Sequence, residues 1–139
     1  MSDEALSVRE LAIQSRAAVH AGDKESWLAL FADDAYVQDP IGPSAFDPEG
    51  KGHHGKEAIG AFYDTVIASA EAISFEILQS YMCGDEVADV GIIRTTLAGG
   101  THQAVVRGVY TYKSNGAGKL AWLRAFWEMD ALELVELPS

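Results

Sequence analysis

Ala35-Tyr-Val-Gln-Asp-Pro-Ile-Gly42 is the stretch on which both fold and chemistry turn. Pro40 has no N–H to give to a ladder, so a strand running from Ala35 is expected to stop there. Alternation puts Ala35, Val37 and Asp39 on one face of that strand, with Tyr36 and Gln38 on the other. A carboxylate closing an apolar row is poorly solvated, and burial raises its pKa towards that of a useful base. The same Asp-Pro-Ile-Gly also suits a plain turn, which Asp readily opens. Locally both readings stand; the rest of the chain decides between them.

Upstream, Val8, Leu11, Ala12, Ser15, Ala18 and Val19 recur at helical spacing and predict a helix from Asp3 to about Ala21, with Ser15 on its inward stripe. Gly22 suits the end of that helix and Asp23 the N-cap of the next. This second helix, Lys24 to Phe31, is short and buries Trp27, Leu28 and Phe31; Asp33 and Asp34 are expected to cap or solvate its end. Downstream, Pro43, Pro48, Gly50, Gly52 and Gly55 punctuate a fourteen-residue loop from Gly42 to Gly55, long enough for a lid or pocket rim. A third helix is expected from about Lys56 to Ala70, its inner face marked by Ile59, Phe62, Tyr63, Val66, Ile67 and Ala70.

The remainder reads as sheet. Strands are expected from Ile73 to about Met82, Val87 to about Leu97, His102 to Lys113 and Lys119 to Met129. Cys83-Gly-Asp85, Gly99-Gly100 and Ser114-Asn-Gly-Ala-Gly118 supply the turns. The apolar tail, Leu132 to Leu137, is expected to add pairing or cover an edge. Helices followed by a meander of long antiparallel strands define an α+β fold, with about three helices packed on one curved, mostly antiparallel sheet around a cone-shaped hydrophobic pocket.

At 139 residues, the chain fits one domain spanning 1–139, long enough to bury roughly 70% of its unfolded surface. Apolar content of 48% and charged content of 22% are those of a globular protein. A net charge of −11 argues against nucleic acid, which demands clustered Lys and Arg, and against an anionic membrane surface. No apolar run approaches the ~20 residues of a transmembrane helix. Met-Ser-Asp-Glu lacks the basic region of a signal peptide. Cys83 is alone, so no internal disulfide forms and a reducing cytoplasm is expected. A small molecule, neutral or weakly polar, or a protein partner is left.

Other constellations carry less. His53 and His54, which with His20 and His102 complete the histidine count, are adjacent in the glycine-rich loop and are read as a solvated pair rather than a metal site. Cys83 sits in a turn without a histidine partner, so it is not read as a nucleophile. Tyr110 and Tyr112 share a strand face with Ala104, Val106 and Gly108, which sends Arg107 to the opposite, outer face. The Gly99-Gly100 turn leaves the register of Arg94 open by one residue. An inward Arg94 would favour an acidic ligand.

The anchors Ala21-Gly-Asp23, Leu30-Phe-Ala-Asp-Asp34, Gln38-Asp-Pro-Ile-Gly42, Lys56-Glu-Ala-Ile59 with Phe62-Tyr63, Asn115-Gly-Ala-Gly-Lys119 and Arg124-Ala-Phe126 follow one another in order. Together they resemble the ketosteroid isomerase branch of the nuclear-transport-factor-two-like (SnoaL-like, cystatin-like cone) superfamily, over roughly Leu11 to Met129. The resemblance implies movement of a steroid double bond from the β,γ to the α,β position of a ketone, with no cofactor and no metal. In that family a carboxylate takes the proton and two acids hydrogen-bond the dienolate oxygen. The base falls on Asp39. The family's tyrosine donor falls on Ser15, whose hydroxyl is shorter and less acidic than a phenol, and its protonated Asp falls on Tyr110. Tyr63 matches a tyrosine that supports the donor. Trp127 and Phe62 fall where the apolar ligand pocket is lined. The loss of the tyrosine donor leaves a ligand-binding protein without turnover as an alternative. Polyketide-cyclase-like, dehydratase-like and epoxide-hydrolase-like enzymes share the fold. A homodimer joined through the sheet and a hydrophobic, steroid-like ligand are implied likewise.

Overall fold

The computed structural model describes residues 6–138. Helix α1 spans Val8–Ala21, and the expected start at Asp3 lies outside the described residues. Its first turn is closed by a capping box, in which Ser7 accepts from the Glu10 amide and Glu10 accepts from that of Ser7. Gly22 ends it in the left-handed region at φ 69°, which glycine adopts without steric penalty. Asp23 then caps α2, Lys24–Ala29, accepting from the amide and hydroxyl of Ser26.

Helix α2 is shorter than its sequence pattern suggests, and strand β1 takes over at Phe31–Gln38. Asp33 and Asp34 therefore do not cap a helix. They are exposed on β1, where the register against its neighbour breaks between Phe31 and Tyr36. Beyond it Ala35 and Val37 are buried as alternation requires, and β1 stops at Gln38, one residue before Asp39. The following loop is interrupted by a bridge between Ser44 and Asp47 and by β2, His53–His54, which pairs antiparallel with β1. The two histidines are thus sheet residues rather than a loop pair, with His53 half-buried and His54 exposed. Helix α3, Gly55–Phe62, widens into a π-helical stretch at Tyr63–Ile67. Such wide turns recur at functional sites.

Long strands complete the sheet: β3 Ala72–Cys83, β4 Glu86–Thr96, β5 His102–Ser114 and β6 Leu120–Phe126. A 3₁₀ turn, Met129–Ala131, leads into β7, Glu133–Glu136. Among the described residues the sheet has seven strands in the order β2-β1-β6-β5-β4-β3, with β7 pairing β5. All pairings are antiparallel except β1 with β6. β6 ends sooner than expected, so β7 takes up the other half of the β5 edge, Gln103 facing Val135. The helices lie on one side of this curved, unclosed sheet. Leu11, Trp27, Phe31, Ile59 and Leu120 are at most 1% exposed between the two layers, and each contributes roughly 1.5–3 kcal/mol by burial.

Candidate active-site cavity

The concave sheet face and the inner faces of α1 and α3 enclose a cavity of about 400 Å³, within the roughly 300–1,000 Å³ typical of ligand pockets. Val66, Phe75, Ile93, Val106, Leu123 and Leu134 give it an apolar wall. Ser15, Arg16, Asp39, Tyr110 and Tyr112 bring polar atoms to that wall.

Asp39 is held from both flanks. Gln38 pairs with Arg124 and accepts from its Nε at 3.0 Å, while the Ile41 amide donates to Ala125 O at 3.0 Å. The carboxylate accepts a short hydrogen bond, 2.6 Å, from Nε1 of Trp127. Trp127 gets there because residue 108 is glycine. A Cβ at that position would lie 2.3 Å from Phe126 O and 2.9 Å from Trp127 Cβ. With no side chain there, the segment after β6 folds across β5 and brings the indole over the cavity. Asp39 keeps partial accessibility through the cavity it faces but is otherwise packed in protein. Burial raises its pKa; the Trp127 hydrogen bond and the charge of His53 pull in the opposite direction without cancelling that rise. This is the environment that makes a carboxylate a better proton acceptor while leaving it inside an apolar hollow.

The remaining sequence candidates divide. Ser15 is 2% exposed, lines the cavity and accepts from Trp27 Nε1 at 3.0 Å. Phe62 and Trp127 line the cavity too. Tyr110 reaches it, but its hydroxyl donates to Val106 O of its own strand at 3.2 Å. Burial, and then the nearby Asp39, push the Tyr110 pKa well above its ordinary value. Tyr63 does not line the cavity. Its ring packs on Trp27, centroids 5.5 Å apart, and burial, then the charges of Asp23 and Asp64, raise the pKa of its hydroxyl against the opposing charge of Lys24. Arg94 points outward and pairs with Glu76 at 2.8 Å, and Arg107 pairs with Glu133 on β7. Neither brings charge to the ligand space.

Sequence reasoning missed a buried trio. Arg16, beside Ser15 on α1, reaches the cavity and pairs with Asp89 at 2.7 Å. Asp89 is fully buried, and its Oδ1 has no partner among the described residues. The Arg16 guanidinium lies 5.9 Å from the ring centroid of Tyr112, which also lines the cavity. The signal was present in strand alternation, which puts Asp89 on the face of Val87 and Ile93. His53 was undervalued as well. Paired with Val37, it packs its ring on Phe62, centroids 4.8 Å apart, close enough for its charge to bear on Asp39. Among the described residues no group of three or more His, Cys, Asp or Glu is placed to hold a metal ion. No described helix is long and apolar enough to cross a membrane.

A curved sheet wrapped on three helices, with a carboxylate in an apolar hollow, defines the nuclear-transport-factor-two-like cone. Residues 12–130 match the SnoaL-like domain, and the chain belongs to that family. It is similar to a delta 5-3-ketosteroid isomerase from Mycobacterium sp., with 38% identity and a TM-score of 0.86 over 92% of this chain and 98% of that one. It is similar also to RV0760c from Mycobacterium tuberculosis, solved in complex with estradiol-17beta-hemisuccinate, with 38% identity, a TM-score of 0.84, and 91% and 97% of the two chains covered. A computationally designed 17-OHP binder shares 36% identity at a TM-score of 0.86, over 91% of this chain and 97% of that one. The chain falls in the ketosteroid isomerase-like branch of the fold.

Proposed function

We propose that the protein is a steroid delta-isomerase-like enzyme. The carboxylate of Asp39 takes a proton from the carbon between the carbonyl and the β,γ double bond. The C–H electron pair moves into the skeleton, leaving a dienolate whose oxygen carries the negative charge. The protonated Asp39 then returns the same proton at the γ-carbon, so the double bond ends conjugated to the ketone and nothing else is consumed. The observation that carries this reading is Asp39 itself, facing an apolar cavity with its pKa raised by burial and its orientation fixed by Trp127. The ketosteroid isomerase at 38% identity supports the substrate class.

Its test is incubation with a β,γ-unsaturated 3-ketosteroid, following the conjugated enone by absorbance. Asp39→Asn is expected to lower kcat by roughly 10²–10⁴, the range for a general base. Wild-type turnover by that variant would remove Asp39 from the mechanism.

A second reading, ligand binding without turnover, draws on Tyr110, whose single proton is committed to Val106 O. The steroid complex of RV0760c and the 17-OHP binder are compatible with it. Quenching of intrinsic tryptophan fluorescence by steroids with no enone formed selects this alternative. Under either reading we propose a homodimer packed through the outer sheet face. There Val90, Val109 and Phe126 form one row across three strands, and Phe126 is 52% exposed. Sedimentation of a Phe126→Lys variant as a monomer, against a dimeric wild type, is the expected result; a monomeric wild type refutes it.

A further inference from the structure

We propose that the ligand's carbonyl oxygen, and the enolate oxygen it becomes, is held at the α1 side of the cavity by the hydroxyls of Ser15 and Tyr112, with the Arg16 guanidinium behind Tyr112, and not by Tyr110. This rests on the isomerase-like reading of the same cavity.

A hydroxyl has one proton to donate. That of Tyr110 goes to Val106 O. Ser15 Oγ accepts from the Trp27 indole, and no hydrogen bond donated by Ser15 forms among the described residues. Tyr112 likewise donates to no acceptor among them. The Arg16 guanidinium lies 5.9 Å from its ring centroid and can only donate, so it takes no proton from the phenol. Two unused O–H groups thus belong to residues that line one cavity, and Arg16, next to Ser15 in the chain, lies beside the Tyr112 ring.

Charge points the same way. An enolate oxygen is stabilised by a fixed cation in a water-poor site, and Arg stays protonated at any working pH. Asp89, wholly buried behind Arg16, gives only Oδ2 to the guanidinium and fixes its position. The two phenols differ accordingly. At Tyr110 burial raises the pKa and Asp39 raises it further. At Tyr112 burial also raises it, the charge of Arg16 opposes the rise, and those of Asp89 and Asp39 add to it. The ligand class that fits is an apolar skeleton ending in a ketone or a phenol.

The test uses the full chain and a naphtholic steroid, whose neutral and ionised forms emit differently and whose phenolate mimics the enolate. Wild type is expected to bind it with phenolate emission. Tyr112→Phe is expected to weaken binding by about tenfold or more and abolish that emission, and Tyr110→Phe to stay within about threefold of wild type, as for one lost hydrogen bond to an anion against none. Arg16→Lys, which keeps the charge but loses the fork, should reduce the phenolate fraction, and offers a second readout should Tyr112→Phe not fold. An unchanged fraction in Arg16→Lys, loss confined to Tyr110→Phe, or no binding by wild type overturns the proposal. Phenolate binding by wild type without enone formation ends the enzyme reading alone, and the ratio between the two phenylalanine variants still decides the donor.

Discussion

Replacing Arg16 by Met should unfold a large part of this protein's stability, and replacing Asp89 with it should restore that stability. The pair is 2.7 Å long, with side chains 12% and 0% exposed. Solvent screening is therefore slight, and the modest values of surface ion pairs do not apply. Removing Arg16 leaves a buried carboxylate with neither oxygen partnered, since Oδ1 already lacks one. Breaking a buried pair from one side costs about 3–5 kcal/mol. A domain of this kind has roughly 5–15 kcal/mol in all. At roughly 3 °C per kcal/mol for a chain of this length, Tm falls by about 9–15 °C. The double variant Arg16→Met/Asp89→Val removes both charges and the orphaned oxygen together, so it should lie near wild type or up to about 4 kcal/mol above it. Urea titration followed by circular dichroism, with m-values compared to confirm a two-state transition, reads both. A single variant costing less than about 1 kcal/mol, as a solvent-screened pair would, or a double variant as unstable as the single, refutes the reasoning.

Three further outcomes follow from Asp39 and its supports. Native Asp39 binds its proton more tightly than in the unfolded chain, where the ordinary value is 3.8; as pH rises from there through the raised native pKa, the native state holds more protons than the unfolded one and stability falls. Asp39→Asn lacks this loss, so in denaturation across pH 4–8 its advantage over wild type should grow with pH; an advantage greatest at acid pH contradicts the assignment. Trp127→Phe removes the 2.6 Å hydrogen bond that favours the carboxylate, so the acid limb of kcat/KM against pH should move to higher pH, and an unmoved limb means the indole does not tune the base. Gly108→Ala sets a methyl 2.3 Å from Phe126 O; it should cost about 1–3 kcal/mol as an overpacked site and lower kcat by displacing Trp127, whereas a stable variant with unchanged kcat shows that the crossing tolerates a side chain.

Much of the fold was legible because its signals are local. The stripe Val8, Leu11, Ala12, Ser15, Ala18 names the buried face of α1, and glycine-bearing turns delimit β3, β4 and β5 closely. Where reading failed, the deciding contact was distant or the pattern ambiguous. Trp27, Leu28 and Phe31 fit one helical face, yet Phe31 is withdrawn into β1 by pairing with Leu120, far along the chain. The parallel β1–β6 pairing has no sequence signature, because period two says nothing about direction. The widened turn at Tyr63 likewise escapes a 3.6-residue stripe, since residues sharing a face shift once a turn takes in more of them.

The site was legible for the same reason and illegible for the same reason. Pro40 ends the strand, and alternation then delivers Asp39 to the hollow. Arg16 and Asp89, 73 positions apart in the sequence, meet only when α1 lies across β4; a charged residue on an otherwise amphipathic pattern is read as solvated until its partner is known. Tyr110 shows the limit of position alone. It stands where the donor should, but a donor is defined by an unused proton, and its proton is on Val106 O. Tyr112, two residues along on the same face, has the free proton and the cation behind it. In a cavity with an apolar wall, the stabiliser of the enolate is fixed by which hydroxyl still has something to donate, and that follows from the partners each strand and helix brings.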